Sequence, residues 1–432
     1  MNRLVNNASW IIGCKIVQNI LSFVVSMMSA RYLGPSNYGL ITYATSVVAF
    51  ILPFANLGLT NILVQELISE PHAEGEILGT SLLTCALTSF LGMAAAVLFT
   101  LVANPGEKVT TIVVALYSLI LLAQALEMIQ YWFQAKLLSK YTALVSLASY
   151  VIISAYKIYL LATGKSVYWF ALSYALDSLI IAVLLLGFYK KLGGQKLKAS
   201  FQRIRSMFAK SHYYIVSSLM VTLFTQTDRI MLKSMIGDAV TGIYSAATVC
   251  AGLSSFVFAA IIDSFRPLIF ENQKLGQKSF ERSVKKLYSV IIYLSLAQCV
   301  AIMLLADPII SLTYGKDYMA ATSTLRIATW YTTFSYLGVV RNIWILAENK
   351  QKYLWIINLS GALANVALNA ALIPSMGSDG AAWASLVTQM FTNVVTGFLI
   401  RPIRRNNRLM FQSLNPKLLW EMAGQIRGEI RK

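Results

Sequence analysis

The chain has 432 residues, of which 57% are hydrophobic and 12% charged, and its formal net charge is +18. A soluble domain carries about 25% charged residues, so a chain of this length with so little charge must have the lipid bilayer as its main solvent. The positive charge does not indicate nucleic-acid binding, because the basic residues flank apolar segments and are better matched to anionic membrane lipids.

Twelve apolar segments follow one another along the chain, and they predict an all-α polytopic membrane protein with about twelve transmembrane helices. A transmembrane β-barrel would have strands of roughly ten residues in which apolar and polar residues alternate. The apolar segments here are longer and do not show this alternation. The first segment is too long for a signal peptide and lacks a cleavage site, so we expect it to remain as the first helix. The predicted spans are 8–33, 38–65, 77–103, 109–135, 141–163, 167–189, 208–234, 239–270, 284–306, 321–347, 353–374 and 379–400.

The Lys and Arg residues divide unequally between the two sides of these spans. With the N-terminus inside, 25 of the 36 basic residues lie in inner segments, 5 lie in outer loops and 6 lie within the spans. Cytoplasmic loops carry an excess of Lys and Arg, so both termini are predicted to be cytoplasmic.

The longest polar inner stretch divides the chain near its middle. Residues 191–207 predict a basic cytoplasmic connector between an N-terminal six-helix lobe, 1–190, and a C-terminal six-helix lobe, 208–401. Residues 402–432 form a basic cytoplasmic tail. Its second part is amphipathic, and an interfacial helix and a solvated tail both fit this pattern.

Two short matches indicate that the halves are repeats. Gly34 and Gly39 match Gly237 and Gly242 at an offset of 203 residues, and each pair brackets a tight outer turn. The later segments 135–141 and 347–353 match at an offset of 212 residues. Two matches in order predict a six-plus-six duplication with the substrate between the halves. The turn residues singled out here are Gly34, Pro35, Gly39, Gly237 and Gly242.

Six basic residues lie within the spans, where a charge is costly and usually faces a cavity or a partner. They outnumber the acidic residues there, so a shared cavity would attract anions. For Lys15, Lys157 and Arg326, a side chain that extends to the lipid headgroups is as good an explanation as a position in such a cavity. Arg341 lies among polar and small residues, as expected of a cavity wall. The candidate substrate-binding cations are Arg341, Arg266, Arg229, Lys15, Lys157 and Arg326.

Four acidic residues also lie within the spans, and short carboxylates reach headgroups poorly. Such a group can exchange a proton, bind Na⁺ or pair with a basic residue. Asp263 lies three residues before Arg266, on one helical face. Asp228 is expected to meet Lys233 or another span. The candidate ion-coupling residues are Asp177, Glu127, Asp228 and Asp263. No hydrolytic triad, phosphate loop or metal cluster is visible, so neither an enzyme nor a cofactor is predicted beyond a coupling H⁺ or Na⁺.

Several motifs carry a resemblance to a known family. They are residues 29–41 (SARYLGPSNYGLI), Gly58-Leu59, residues 347–353 (AENKQKY) and residues 380–385 (GAAWAS). Over essentially the whole chain, the sequence resembles the polysaccharide transporter branch of the MOP exporter superfamily, the Wzx-type oligosaccharide flippases. One departure is Gln65 before Glu66, where the family often has a basic residue, so this position is given no substrate role.

The resemblance implies two six-helix lobes around a central cavity, in a bacterial inner membrane. It implies alternating access that moves an undecaprenyl-pyrophosphate-linked oligosaccharide of O-antigen or capsule between leaflets, with coupling to a proton or sodium gradient. It also suggests a polysaccharide polymerase and a chain-length regulator as protein partners, besides membrane lipids.

Five other functions stay open at this point. A multidrug or cation antiporter of the same superfamily would favour an acidic cavity, and the basic excess argues against it. A lipid II flippase fits the motifs less well. A polysaccharide polymerase usually has a large outer loop, which this chain lacks. A scramblase or a purely structural membrane protein is compatible with the sequence.

Overall fold

The computed structural model describes the backbone of residues 2–416 and the side chains of residues 13, 14 and 17–416. Within this part of the chain all regular structure is helical, and no strand occurs. The α-helices are α1 (Asn2–Ala55), α2 (Leu63–Ser69), α3 (Glu74–Ala103), α4 (Lys108–Glu127), α5 (Gln130–Ala135), α6 (Ser139–Ala162), α7 (Val167–Lys191), α8 (Phe201–Met235), α9 (Asp238–Ala251), α10 (Ser255–Lys274), α11 (Gln277–Thr313), α12 (Ala321–Ala347), α13 (Leu354–Met390), α14 (Thr396–Leu399) and α15 (Arg404–Gln412).

Seven helical runs of the described chain are long and apolar enough to cross a bilayer, and the pair α9 and α10, bent by 44°, makes an eighth. Two of the seven are longer than one crossing needs and break at a glycine with positive φ. These are Gly34 in α1, with φ 71°, and Gly377 in α13, with φ 56°. Helices α8 and α12 have 35 and 27 residues, long enough to cross a bilayer, but are not among these apolar runs. The seven runs and the bent pair make eight spans, and counting each of the two broken runs twice makes ten. With α8 and α12 the total is the predicted twelve, so the predicted fold class is confirmed.

The chain divides into two compact units, Met1–Gly242 and Ile243–Lys432. In the first unit, one apolar cluster contains Tyr43 and Phe170, and a second surrounds Leu63 and Phe133. In the second unit, α10, α11 and α12 bury one cluster around Trp344. The sequence places the lobe boundary at the connector 191–207, and this boundary stays a prediction. The predicted central cavity also stays a prediction.

The connector packs against the N-terminal end of α3. Lys198 N donates a hydrogen bond to Gly75 O at 3.1 Å, and Gly75 N donates to Gln195 Oε1 at 3.1 Å. Tyr189 Oη donates to Gln195 O at 2.7 Å. Ion pairs reinforce the same end of the unit, which we call the basic end: Arg203 with Glu70, Lys210 with Glu66 and Lys136 with Glu74. The acidic segment after the second predicted span is therefore largely neutralised by the basic loops beside it.

The two repeated turns contact each other inside the first unit. A Cβ atom added to Gly39 would lie 1.9 Å from Asp238 O, and one added to Gly242 would lie 2.0 Å from Pro35 O. Pro35 and Asp238 are themselves related by the offset of 203 residues, so the contact is reciprocal. The glycines are required here because the two backbones approach too closely for any side chain. Gly237, with φ 130°, ends the chain segment before α9.

The substitution Gly39→Ala should destabilise the protein strongly. The clashing atom belongs to backbone, which cannot rotate away, so we expect a loss of about 1–3 kcal/mol or more. The measurement is the melting temperature and the folded yield in detergent. Gly187→Ala is the matched control, because Gly187 lies in α7 with open space around its Cβ position. An equal effect of both substitutions would contradict the close contact.

Candidate functional site

The clearest exposed charge pair within a predicted span lies on α10. Arg266 Nη2 is 3.1 Å from Asp263 Oδ1, and the two side chains are 49% and 65% exposed. The predicted placement on one helical face is therefore what the structure shows. Ser264 and Pro267 are also exposed. Hydrocarbon cannot solvate such groups, so this face of α10 is suited to contact with water or an anionic ligand.

A second polar face lies on α8, in the first unit. Arg229 Nη1 donates a hydrogen bond to Gln226 Oε1 at 2.9 Å, and Ser46 Oγ donates to the same oxygen at 2.9 Å. Arg229 is half-buried, whereas Ser217 and Thr225 are exposed. The polar side chains of α8 are thus divided between interhelical hydrogen bonds and an exposed surface.

Arg341 is held in the interior of the second unit. The residue is only 4% exposed. Its Nη1 donates to Thr392 O at 2.5 Å, and its Nη2 donates to Asn342 Oδ1 at 3.0 Å. Thr392 belongs to the π-helical segment Phe391–Val395, where the wider turn changes the usual backbone hydrogen-bond pattern. This guanidinium therefore supports the local helix geometry and offers little surface to a substrate.

Lys157 is buried and does not reach a headgroup. It is 7% exposed, and its Nζ lies 4.0 Å from the centroid of the Tyr174 ring. The nearby carboxylate of Asp177 accepts a hydrogen bond from Ser149 Oγ at 2.6 Å. A cation over an aromatic face is stabilised by the ring quadrupole. The arrangement gives the first unit a polar interior between α6 and α7.

Glu127, at the end of α4, differs from Asp177 in its hydrogen bonding. Its Oε1 atom is buried and has no hydrogen-bond partner among the described residues. Near the same helix end, Gln18, Gln130 and Gln134 help to line a cavity of about 250 Å³. An unpartnered carboxylate oxygen is costly to bury, and a proton or a cation would offset that cost.

The remaining predicted residues are in separate places. Arg326 Nη2 pairs with Asp307 Oδ2 at 2.7 Å, and both side chains are substantially exposed. Asp228 is buried in α8. The side chain of Lys15 lies outside the described residues. Each candidate cation with a described side chain therefore contacts a different partner. A shared role of these cations in binding the substrate stays a prediction.

Sequence reasoning missed a charged cluster at the end of the first unit opposite the basic end. The ammonium of Lys233 is 2.5 Å from Glu107 Oε2 and 2.6 Å from Asp238 Oδ1, with its side chain 2% exposed. Thr110 Oγ1 donates to Glu107 Oε2 at 2.5 Å. The cluster joins the start of α4, the end of α8 and the start of α9. The sequence does contain a pattern that indicates this cluster. Lys233 lies in the last turn of α8, Glu107 precedes α4 and Asp238 begins α9.

The hydrogen bonds from Lys233 and Thr110 hold the pKa of Glu107 below its ordinary value of 4.5. A carboxyl with a lowered native pKa stabilises the fold above its unfolded pKa, and that stabilisation is lost as pH falls through the native pKa.

Below pH 4.5 the melting temperature of the wild type should therefore fall more steeply than that of Glu107→Gln. Because Glu107 is 46% exposed, the contribution is under about 1 kcal/mol. Glu271→Gln, at an exposed carboxylate, should keep the wild-type slope, and equal slopes for all three proteins would exclude the effect.

Comparison with known proteins identifies the family. Residues 4–273, more than half of the chain, match the family described as "Polysaccharide biosynthesis protein". The chain belongs to this family. The resemblance to the polysaccharide transporter branch of the MOP exporter superfamily is therefore confirmed.

Two relatives of this polysaccharide biosynthesis protein cover most of its length. The capsular polysaccharide biosynthesis protein CapF of Staphylococcus aureus is 22% identical over 391 residues, which are 89% of this chain and 96% of that protein. The probable low-salt glycan biosynthesis flippase Agl15 of Haloferax volcanii is 22% identical over 369 residues, 85% of this chain and 77% of that protein.

A solved structure shows the same fold. The lipid II flippase MurJ in an inward closed conformation matches with a TM-score of 0.73 at 15% identity, over 94% of this chain and 90% of that chain. At this identity the likeness concerns the fold alone. This shared fold is consistent with an all-helical protein that crosses the membrane several times.

Proposed function

We propose that this protein is a flippase that moves an undecaprenyl-pyrophosphate-linked oligosaccharide, a repeat unit of O-antigen or capsule, from the cytoplasmic to the outer leaflet. The observation that carries the proposal is membership of the polysaccharide biosynthesis family in a chain built almost wholly of membrane-spanning helices. The names of its relatives CapF and Agl15 point to the same class of substrate. The protein acts as a transporter and catalyses no covalent step.

The exposed polar faces of α10 and α8 support this proposal chemically. A glycan needs a wide hydrated path, and a diphosphate needs fixed cations. Arg266 offers a half-exposed guanidinium within a span, and Ser217 and Thr225 offer hydroxyl groups that lipid tails cannot solvate. In this proposal Arg266 contacts the diphosphate. Arg341 has a structural role.

The charge distribution supports an orientation and a location. With 25 basic residues on one side and 5 on the other, both termini and the connector lie on the cytoplasmic side of a bacterial inner membrane. The translocated oligosaccharide then reaches a polysaccharide polymerase and a chain-length regulator at the outer face. Both are proposed as functional partners.

An ion gradient drives the transport step in this proposal. Glu127 has the required chemistry, since its buried Oε1 atom lacks a partner among the described residues and can take up a proton or Na⁺. Asp177, with Lys157 near it, is another candidate carboxylate of the same unit. Alternating protonation of Glu127 would change the cost of burying this group and so shift the conformational equilibrium.

Deleting the gene in its own host tests the proposal. The lipid-linked oligosaccharide should accumulate in the cytoplasmic leaflet, where a lectin labels it in inverted vesicles but not in right-side-out spheroplasts. Lipid II, followed in the same cells, should stay correctly distributed. Normal lectin labelling of spheroplasts from the deletion strain would contradict the proposal. A selective defect in lipid II would instead indicate a lipid II flippase, and loss of cationic-drug efflux alone a multidrug antiporter.

A further inference from the structure

Four arginines form one face at the start of the C-terminal segment, in the second unit. Arg401, Arg404, Arg405 and Arg408 follow the spacing that places side chains on one side of a helix. All four are exposed, and together with Leu409, Gln412 and Glu281 they line a cavity of about 580 Å³. We call this cavity the arginine pocket.

The positive charge of the arginine pocket is only partly compensated. Glu281 pairs with Arg405, and it is the one carboxylate among the pocket-lining residues. Arg404 Nε donates to Phe398 O at 2.6 Å, which fixes its position without neutralising it. Neither Arg401 nor Arg408 has an ion pair within the described chain. Guanidinium groups in such a cluster bind phosphate oxygens in a bidentate manner.

The helix that carries the pocket is firmly attached to its unit. Tyr288 Oη donates to Asn406 Oδ1 at 2.9 Å, and Asn407 Nδ2 donates to Val394 O at 2.7 Å. Leu409 and Met410 are buried in the core of the second unit. The arginines are thus presented on a fixed scaffold, which lowers the entropic cost of binding a ligand.

The pocket lies where lipid headgroups are expected. The last membrane-spanning run ends at Leu399, two residues before Arg401. Phe398 and Phe411 stand beside the arginines, with ring centroids 5.8 Å apart, and both are about half exposed. Leu414 is 49% exposed. A row of cations flanked by exposed apolar side chains is the pattern of a helix at the interface between headgroups and acyl chains.

We propose that the arginine pocket binds the phosphate headgroup of an anionic phospholipid of the bilayer. The phosphate contacts Arg401 and Arg408, and the acyl chains lie along Phe398 and Phe411. The bound lipid adds a further restraint on α15. Asn407 then transmits this restraint to the π-helical segment, on which Arg341 also acts. The site is separate from the proposed glycan contacts and does not depend on which glycan is carried.

The test uses the full-length protein in detergent, with phosphatidylglycerol binding counted by native mass spectrometry. The variant Arg401→Gln/Arg408→Gln should fold, since neither side chain has an ion pair in the described chain, and should bind phosphatidylglycerol at least about tenfold more weakly. Lys190→Gln/Lys191→Gln is the matched control, because it removes two exposed charges from the C-terminal end of α7. It should change the affinity by less than about twofold. Arg401→Lys/Arg408→Lys should be intermediate, because it keeps the charges but loses the forked geometry.

Two outcomes would overturn the proposal. Equal weakening in the control variant would mean that the charge of the whole protein attracts the lipid without a defined site. Tighter binding of a polyprenyl diphosphate than of phosphatidylglycerol, lost in the same arginine variant, would mean that the carrier lipid of the substrate occupies the pocket. Lipid binding is measured without transport, so failure here leaves the proposed flippase function unaffected.

Discussion

Replacing Arg266 with glutamine should lower oligosaccharide translocation at least about tenfold while folded protein stays in the membrane. A hydrogen bond from a charged group to a phosphate contributes about 1.5–3 kcal/mol, and about 1.4 kcal/mol corresponds to tenfold. The exposed pair with Asp263 contributes only about 0–1 kcal/mol to stability, so the fold should tolerate the change. Translocation is measured by lectin labelling of the outer leaflet, normalised to the amount of protein in the membrane.

Arg326→Gln is the matched control for Arg266. Arg326 is also an exposed, ion-paired arginine of the second unit, with Asp307 as its partner. Its loss should reduce translocation by less than about twofold, because the proposal gives it no substrate contact. Arg266→Lys should retain part of the activity. If Arg266→Gln and Arg326→Gln had the same effect, Arg266 would have no special role in binding the substrate.

Replacing Arg341 with glutamine should affect folding and not substrate binding. The guanidinium is buried and donates to Thr392 O and Asn342 Oδ1, so its removal takes one donor from each of these acceptors, although Thr392 O keeps the Thr396 hydroxyl as a donor. We expect a loss of about 1.5–3 kcal/mol, seen as a lower melting temperature and a lower folded yield in detergent. Asn342→Ala, which removes one of the two acceptors, should have a smaller effect.

The sequence alone assigned Arg341 to the cavity wall, so this substitution distinguishes the two interpretations. A variant with wild-type melting temperature and no translocation would support the original substrate role. A destabilised variant whose residual folded protein translocates normally would support the structural role. The comparison is made per folded molecule, because a loss of yield alone also lowers total transport.

The fold could be predicted from the sequence because its signals are local. Apolar segments of sufficient length set the number of helices. The orientation indicated by the excess of Lys and Arg stays a prediction. The repeat was visible through Gly39 and Gly242, since only glycine fits the close backbone contact between them. Span boundaries are also local, so the kinks at Gly34 and Gly377 coincide with predicted breaks between spans.

The candidate site was harder to predict because burial and pairing depend on distant parts of the chain. Nothing near Arg341 in sequence shows that Thr392, 51 residues away, supplies its acceptor. Lys157 lies within two turns of the end of its predicted span, where a side chain can reach a headgroup, yet it is buried over Tyr174. The ion pair between Asp263 and Arg266 could be predicted because both residues lie on one helical turn.

The most direct test of the proposed function is translocation by the purified protein alone. Proteoliposomes containing the full chain and an undecaprenyl-pyrophosphate-linked oligosaccharide are exposed to an impermeant glycosidase, with and without an imposed proton or sodium gradient. The account predicts that the protected inner pool becomes accessible in the presence of wild-type protein, faster with a gradient, and that Arg266→Gln and Glu127→Gln slow it. An inner pool that stays protected in wild-type proteoliposomes under every gradient would contradict the account.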